Sequence, residues 1–189
     1  MIDILYEPFR HWSDGGSVYL LSDLHLGDDD CKLMDPDWIE PDEQIRIINK
    51  VVNKTDTFVC LGDVGKPELV DKIAAKRKVL IMGNHDRITD YRDIFDEIYS
   101  GPLFVAQKIL LSHEPIHDLP WCINIHGHEH SPVPQSEHNI NCINLAANVF
   151  GYTPISLKKL IDLGIISDIP TIHRVTIDRQ IERSKRKKQ

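Results

Sequence analysis

At 189 residues the chain is long enough for one compact domain with a sizeable core and too short for a second independent one. Its 41% hydrophobic and 27% charged residues are ordinary for a globular protein, and no stretch reaches the ~18 apolar residues of a membrane helix, which excludes a helical bilayer-spanning protein. The net charge of −7 conceals an asymmetry, because Arg179–Gln189 carries six basic residues against Glu182, about +5, leaving the rest near −12, a poor generic surface for nucleic acid.

One domain is expected over residues 1–178, followed by a basic tail over 179–189 that reads as a solvated terminus and receives no function. The stretch up to Gly16 scatters Asp3, Glu7, Arg10, His11 and Asp14 among apolar residues and lacks the basic start and apolar centre of a signal peptide, so a cytoplasmic location is expected. Short, apolar, partly β-branched runs then occur at Val18–Ser22, Thr57–Leu61, Val79–Met82, Ile109–Ser112 and Cys122–Ile125, as in buried strands. Between the first two, Ile45, Ile48, Val51 and Val52 recur at helical spacing within Asp42–Asn53, with Pro41 and two acids at the front. Pro67–Ala75 repeats that design before the third run. Two β-α-β crossovers follow, giving an α/β fold in which the C-terminal ends of the first three strands share one edge. Cys31, Cys60, Cys122 and Cys142 form no CxxC pair and are expected as free core thiols. The Pro-containing stretches at 115–120 and 131–136 read as connections within the domain.

Each strand-like run ends at a polar cluster: Ser22-Asp23-Leu24-His25, Gly62-Asp63, Gly83-Asn84-His85-Asp86, Ser112-His113-Glu114 and His126-Gly127-His128-Glu129-His130. If the local backbone is extended, Asp23 and His25, and likewise His128 and His130, point the same way. Carboxylate oxygen, imidazole nitrogen and an amide oxygen form a donor set suited to Mn²⁺, Fe²⁺ or Zn²⁺ more than to Ca²⁺ or a thiolate-bound metal. A single carboxylate such as Asp63 can bridge two such ions.

Taken in order, the clusters D-x-H, G-D, G-N-H-D, H and G-H-x-H resemble the calcineurin-like metallophosphoesterase superfamily, with all five blocks intact from about Val18 to His130. Asn144–Ile161, with Tyr152-Thr153-Pro154-Ile155-Ser156, is similar to the C-terminal segment of small, uncapped bacterial and phage-type members. The resemblance implies a four-layer α/β/β/α sandwich with two central mixed sheets. It implies two divalent ions, Mn²⁺ favoured and Fe²⁺ or Zn²⁺ open, with Asp23, His25 and His130 on one, Asn84, His113 and His128 on the other, and Asp63 between them. It further implies hydrolysis of a small phosphodiester, nucleotides included, or a phosphomonoester, by a metal-bridging hydroxide. His85 would be the general acid, with Asp86 orienting its ring.

Two departures narrow the branch. Protein Ser/Thr phosphatases of this superfamily continue the second block as G-D-x-V-D-R-G and close the third with Glu, whereas this chain has Gly62-Asp63-Val64-Gly65-Lys66 and Asp86. It also lacks the length of those enzymes and of the capped repair nucleases. A small phosphoester substrate is expected, with no membrane and no nucleic acid polymer as partner. A non-catalytic scaffold or binding module on the same fold, or a nuclease, remain as alternatives.

Peripheral residues carry paired readings. Arg87 presents a planar fork to a phosphate oxygen or is a surface Arg beside a helix, and Lys66 has a similar, weaker claim. His126 contacts phosphate or is a hydrogen-bonded structural histidine at a strand end. The acidic run from Asp28 to Glu43 either lies at the site rim and repels polyanions or simply caps a helix, and Trp38 is read as a packing aromatic more than a base-stacking one. His11, His117, His138 and His173 are read as ordinary surface residues.

Overall fold

The computed structural model describes residues 17–106, 109–119, 122–131 and 141–164. The basic tail at 179–189, His11, His138, His173 and residues 132–136 of the second Pro-containing stretch lie outside the described residues. The elements in chain order are β1 (Val18–Leu21), α1 (Cys31–Met34), α2 (Pro41–Val51), β2 (Thr57–Cys60), α3 (Pro67–Val70), β3 (Arg77–Ile81), α4 (Ile88–Tyr91), β4 (Glu97–Tyr99), β5 (Leu103–Ala106), β6 (Ile109–Leu111), β7 (Ile123–His126), β8 (Cys142–Asn144), β9 (Ile155–Ser156) and α5 (Leu157–Asp162). None of the described helices is long and apolar enough to cross a membrane.

Two mixed sheets form. One has the order β4-β3-β2-β1-β9, the other β5-β6-β7-β8. Strands β1 to β4 run parallel, β9 joins β1 antiparallel, and in the second sheet β5 alone is antiparallel to its neighbour. The crossovers through α2 and α3 therefore deliver β1, β2 and β3 with their C-terminal ends at one edge, as the alternation of the sequence predicts.

The uninterrupted apolar character of these strands has a direct cause in the layering. Alternate residues Val18 and Leu20, Val59 and Leu61, and Val79 and Ile81 pack between the sheets against Leu103, Val105, Ile109, Leu111 and Ile125. The intervening Leu21, Phe58, Cys60 and Leu80 pack on the opposite face with Ile45, Ile48, Val70 and Tyr91 of the helices. With both faces covered, period-two alternation gives way to runs of Leu, Ile and Val. Leu157 and Leu160 of α5 join the inter-sheet cluster. The described residues thus build an α/β/β arrangement, and no described helix lies on the outer face of the second sheet, where the expected fourth layer would sit.

Helix α2 begins with Pro41 at its first turn beside Asp42 and Glu43, ends near Lys50, and buries Gln44, Ile45 and Ile48. The predicted helix over Pro67–Ala75 is shorter than expected: after Val70 the bonds Lys72 N–H to Leu69 O and Ile73 N–H to Val70 O are three-residue turns, which bring the chain back to β3 within a few residues. The predicted strand Cys122–Ile125 sits one residue later, at Ile123–His126, which draws His126 into the sheet. Strands β4, β8 and β9 are too short or too polar to stand out by periodicity, and β5, which does carry an apolar Leu-Phe-Val core, is hidden behind Pro102. All four cysteines are buried free thiols, and burial together with Asp28 and Asp30 pushes Cys31 up to about 11.

Phe58 is fully buried at the centre of the helix-side cluster. Phe58→Ala is expected to cost about 3–5 kcal/mol, read as a lower urea midpoint at unchanged slope; a change under ~1 kcal/mol would contradict the packing described.

Candidate metal centre

The polar clusters converge where the two sheets abut. Ser22 N–H donates to Leu145 O and Ala147 N–H donates to Ser22 O, stitching the end of β1 to the segment after β8, while Gly127 N–H donates to His113 O at the ends of β7 and β6. Asp23 N–H donates to Gly62 O and His25 N–H to Asp63 O, which ties the first two clusters together. The loops after β1, β2 and β3 thus face those after β6 and β7.

Two groups of side chains meet there, each able to offer ligand atoms within 4.8 Å of one another: Asp23, His25 and His130, and Asp63, His113 and His128. Asn84 joins the second, its Oδ1 lying 2.8 Å from His113 Nε2 and 3.2 Å from His128 Nδ1. His128 Nδ1 is in turn 3.1 Å from His113 Nε2. Asp63 Oδ2 stands between the groups, 3.4 Å from His113 Nε2 and 3.7 Å from His25 Nε2. Each triad draws one or two residues from each sheet.

The extended backbone that would pair Asp23 with His25 and His128 with His130 is not what forms at Asp23, His25 and His128. Asp23 (φ 55°), His25 (φ 40°), Asp63 (φ 52°) and His128 (φ 69°) all adopt the left-handed region, which costs non-glycine residues of order 1–3 kcal/mol each. The side chains therefore converge through tight turns at the strand ends. Two motif glycines permit this crowding. A Cβ on Gly127 would lie 1.9 Å from Ser22 Oγ and 2.1 Å from Asp23 Oδ2, and one on Gly83 would lie 2.1 Å from Asp63 Oδ1.

Donor satisfaction shows what the site wants. Asp23 Oδ2 accepts from His128 N–H at 2.8 Å, and Asp63 Oδ1 accepts from His85 N–H at 3.0 Å. Asp23 Oδ1 and His25 Nε2, however, are buried and have no hydrogen-bond partner, although Asp23 is 0% and His25 2% exposed. Buried acceptors facing one another without a donor are costly, and a divalent cation is the group whose charge answers them. The field agrees: burial pulls His25 and His113 down, yet Asp28, Asp63 and Asp23 around the one and Asp63 and Asp23 around the other raise both imidazoles net. Burial likewise pushes Asp63 up, but His113, the His85 N–H and His25 hold it below its ordinary range. The pocket favours positive charge despite its dryness.

A further set of residues orients the imidazoles. His25 Nδ1–H donates to Asp28 Oδ2 at 2.8 Å, His113 Nδ1–H donates to Leu61 O at 2.9 Å, and His130 Nδ1–H donates to Asn148 Oδ1 at 3.3 Å. Each bond leaves Nε2 aimed inward as a lone pair. Asn148 is held by donating to Asp35 Oδ2 at 3.0 Å and His130 O at 2.8 Å. The acidic run thus reaches the site through Asp28 and Asp35. Trp38 is a buried packing aromatic, its ring 5.8 Å from that of His25, 5.6 Å from His130 and 5.9 Å from Tyr152. Sequence reasoning missed Asp28, Asp35 and Asn148. Asp28 was within reach of it, three residues after His25 across the Gly27 turn, but nothing local marks Asn148.

The remaining site residues divide. His85 is exposed, with its ring centroid 5.4 Å from that of His25, and Arg87 is exposed two positions on. Asp86 does not orient the His85 ring: its carboxylate is occupied by the backbone N–H groups of Gly83 at 2.8 Å, Asp63 at 2.9 Å and Val64 at 3.1 Å. It binds the second and third clusters into one unit, and burial raises its carboxyl above the usual range. His126 is 2% exposed and its Nδ1–H donates to Gly127 O at 2.7 Å, so the strand shift places it in the structural role rather than on the site surface.

Removal of the Asp28 acceptor tests the orienting network. Asp28→Ala is expected to weaken binding of one of two divalent ions about 10–100-fold in a calorimetric titration, with the other ion less affected; equal Kd values in wild type and variant would refute that role.

A family model for calcineurin-like phosphoesterases matches residues 16–186. No curated protein matches the chain. Among solved structures it is similar to a protein of unknown function from Aquifex aeolicus, at TM-score 0.66 and 26% identity over 78% of this chain and 99% of that one. With two His/Asp triads consistent with a dinuclear metal site, and a family match that spans most of its length, the chain belongs to the calcineurin-like phosphoesterase family.

Proposed function

We propose that the protein is a metal-dependent phosphohydrolase that cleaves a small phosphodiester, on a four-layer α/β/β/α fold, in the reducing environment that its free thiols suit. The observation that carries this reading is the pair of unpartnered buried acceptors, Asp23 Oδ1 and His25 Nε2, inside triads shared by two sheets. Asp23, His25 and His130 would hold one ion, Asn84, His113 and His128 the other, and Asp63 both. Two divalent ions there, Mn²⁺ by preference, would supply an activated water and neutralise charge on the phosphoryl group.

The chain's own residues do the rest. Asp28, Leu61 O and Asn148 fix the tautomers of His25, His113 and His130, so that neutral nitrogen faces inward. His85, held by its N–H on Asp63 and exposed beside His25, donates a proton to the departing alkoxide oxygen. Asp86 serves that step indirectly by locking the Gly83–Asp86 turn onto Asp63 and Val64. Arg87 offers its guanidinium fork to a phosphate oxygen.

A phosphoester screen with Mn²⁺, Fe²⁺ and Zn²⁺ is expected to find turnover of aryl or nucleotide diesters, and an inert protein carrying two ions would sink the hydrolase reading. His85→Ala is expected to retain both ions while losing roughly 10²–10⁴-fold in rate on an alkyl leaving group and much less on p-nitrophenolate, which needs no proton. Equal losses on both would remove His85 as the acid.

A further inference from the structure

A cavity of about 270 Å³ opens between the two sheets beside the second triad. Asn84 and His113 form one side of it, and Ser100, Gly101 and Pro102 of the β4–β5 connection, with Glu114 after β6, form the other. Among the described residues no Lys or Arg lines it, and Arg87 and Lys66 stand elsewhere. The flank of the first triad is differently built, since Trp38 is packed against His25 and His130 there, with Asp28 and Asp35 behind them. A substituent on phosphorus therefore has room on the Asn84–His113 side.

We propose that this cavity receives the organic substituent of the phosphoester and selects an uncharged or cationic group over an anionic one. The inference rests on the hydrolase reading above only for the position of phosphorus beside Asn84 and His113. Room follows from volume: about 270 Å³ is enough for a phenyl ring or a short amino alcohol. Charge follows from the lining. Among the described lining residues, the one carboxylate is that of the exposed Glu114, which attracts a cation and opposes a second phosphate or a carboxylate. The strongly acidic body adds to the same preference.

Gly101 provides a selective probe, because it lines the cavity, a Cβ added there meets nothing within 4 Å and its φ lies outside the left-handed region, so a larger side chain is accommodated at the cavity wall without disturbing the backbone. The test is calorimetric titration of protein held in excess Mn²⁺ with phosphonates, which read the cavity whether or not the protein turns over. Phenylphosphonate is expected to bind at least tenfold tighter than methylphosphonate to wild type, and Gly101→Leu to reduce that ratio to within threefold. 2-Aminoethylphosphonate is expected to bind about tenfold tighter than phosphonoacetate, and Glu114→Gln to bring that pair within threefold. A wild type that does not discriminate within either pair, or ratios that survive the substitutions, would overturn the cavity assignment. Turnover of methyl and phenyl aryl diesters measured alongside separates the two readings: phosphonate preference without turnover fails the hydrolase reading alone, and turnover without preference fails the cavity alone.

Discussion

The rest of the structure is arranged around acceptors that are buried and left without donors. A carboxylate oxygen and an imidazole nitrogen with no partner, in residues at 0% and 2% exposure, are unfavourable in an empty pocket. The protein holds them there by force of backbone: four of the converging residues sit at positive φ, each at a cost a strand interior would never meet. The compensation comes from the two sheets, whose inter-sheet core from Val18 to Ile125 keeps the strand ends opposed. Stability built in the core is thus used to hold a geometry whose buried acceptors a divalent cation would answer.

The same constraint explains why the motif glycines and Asp86 are where they are. Gly127 and Gly83 are the points at which one cluster's backbone passes against another's carboxylate, closer than any Cβ permits. The family resemblance implies Asp86 as the group that orients the neighbouring His85. Its carboxylate instead collects the N–H groups that the Gly62–Val64 and Gly83–Asp86 turns leave without strand partners. Backbone hydrogen-bond accounting, rather than the transferred role, explains where this carboxylate sits.

Much of the site was legible because its donors are clustered, each cluster follows an apolar run, and a parallel sheet has few ways to arrange such runs. Asp23, His25, Asp63, Asn84, His113, His128 and His130 all meet as the motif order predicts. What the sequence concealed depends on tertiary contact. Asn148 touches His130 from eighteen residues away and is itself anchored on Asp35, 113 residues earlier, a separation no local pattern encodes. His126 was ambiguous because a one-residue shift in strand register decides whether its side chain is in the sheet or at its end. The short edge strands β4 and β9 of the first sheet and β8 of the second carry too few residues for any periodicity to emerge.

The distribution of ligand atoms over the two sheets has a mechanical consequence. Asp23 and His25 follow β1 while their companion His130 follows β7; Asp63 follows β2 while His113 and His128 follow β6 and β7. Neither triad can be assembled within one sheet, so the spacing between ions would be set by how the sheets pack rather than by any loop. The stitches Ser22 to Leu145 and Ala147, and His128 N–H to Asp23, cross that seam at the site itself. Helix-side residues such as Phe58 and Ile48 bear on only one sheet and can relax without moving the seam, whereas Leu61, Leu111 and Ile125 lie in it, next to Asp63, His113 and His128. Geometry at the candidate metal centre and packing between the sheets are therefore one property of this fold, and the apolar strand runs that announce the core also announce where the two triads meet.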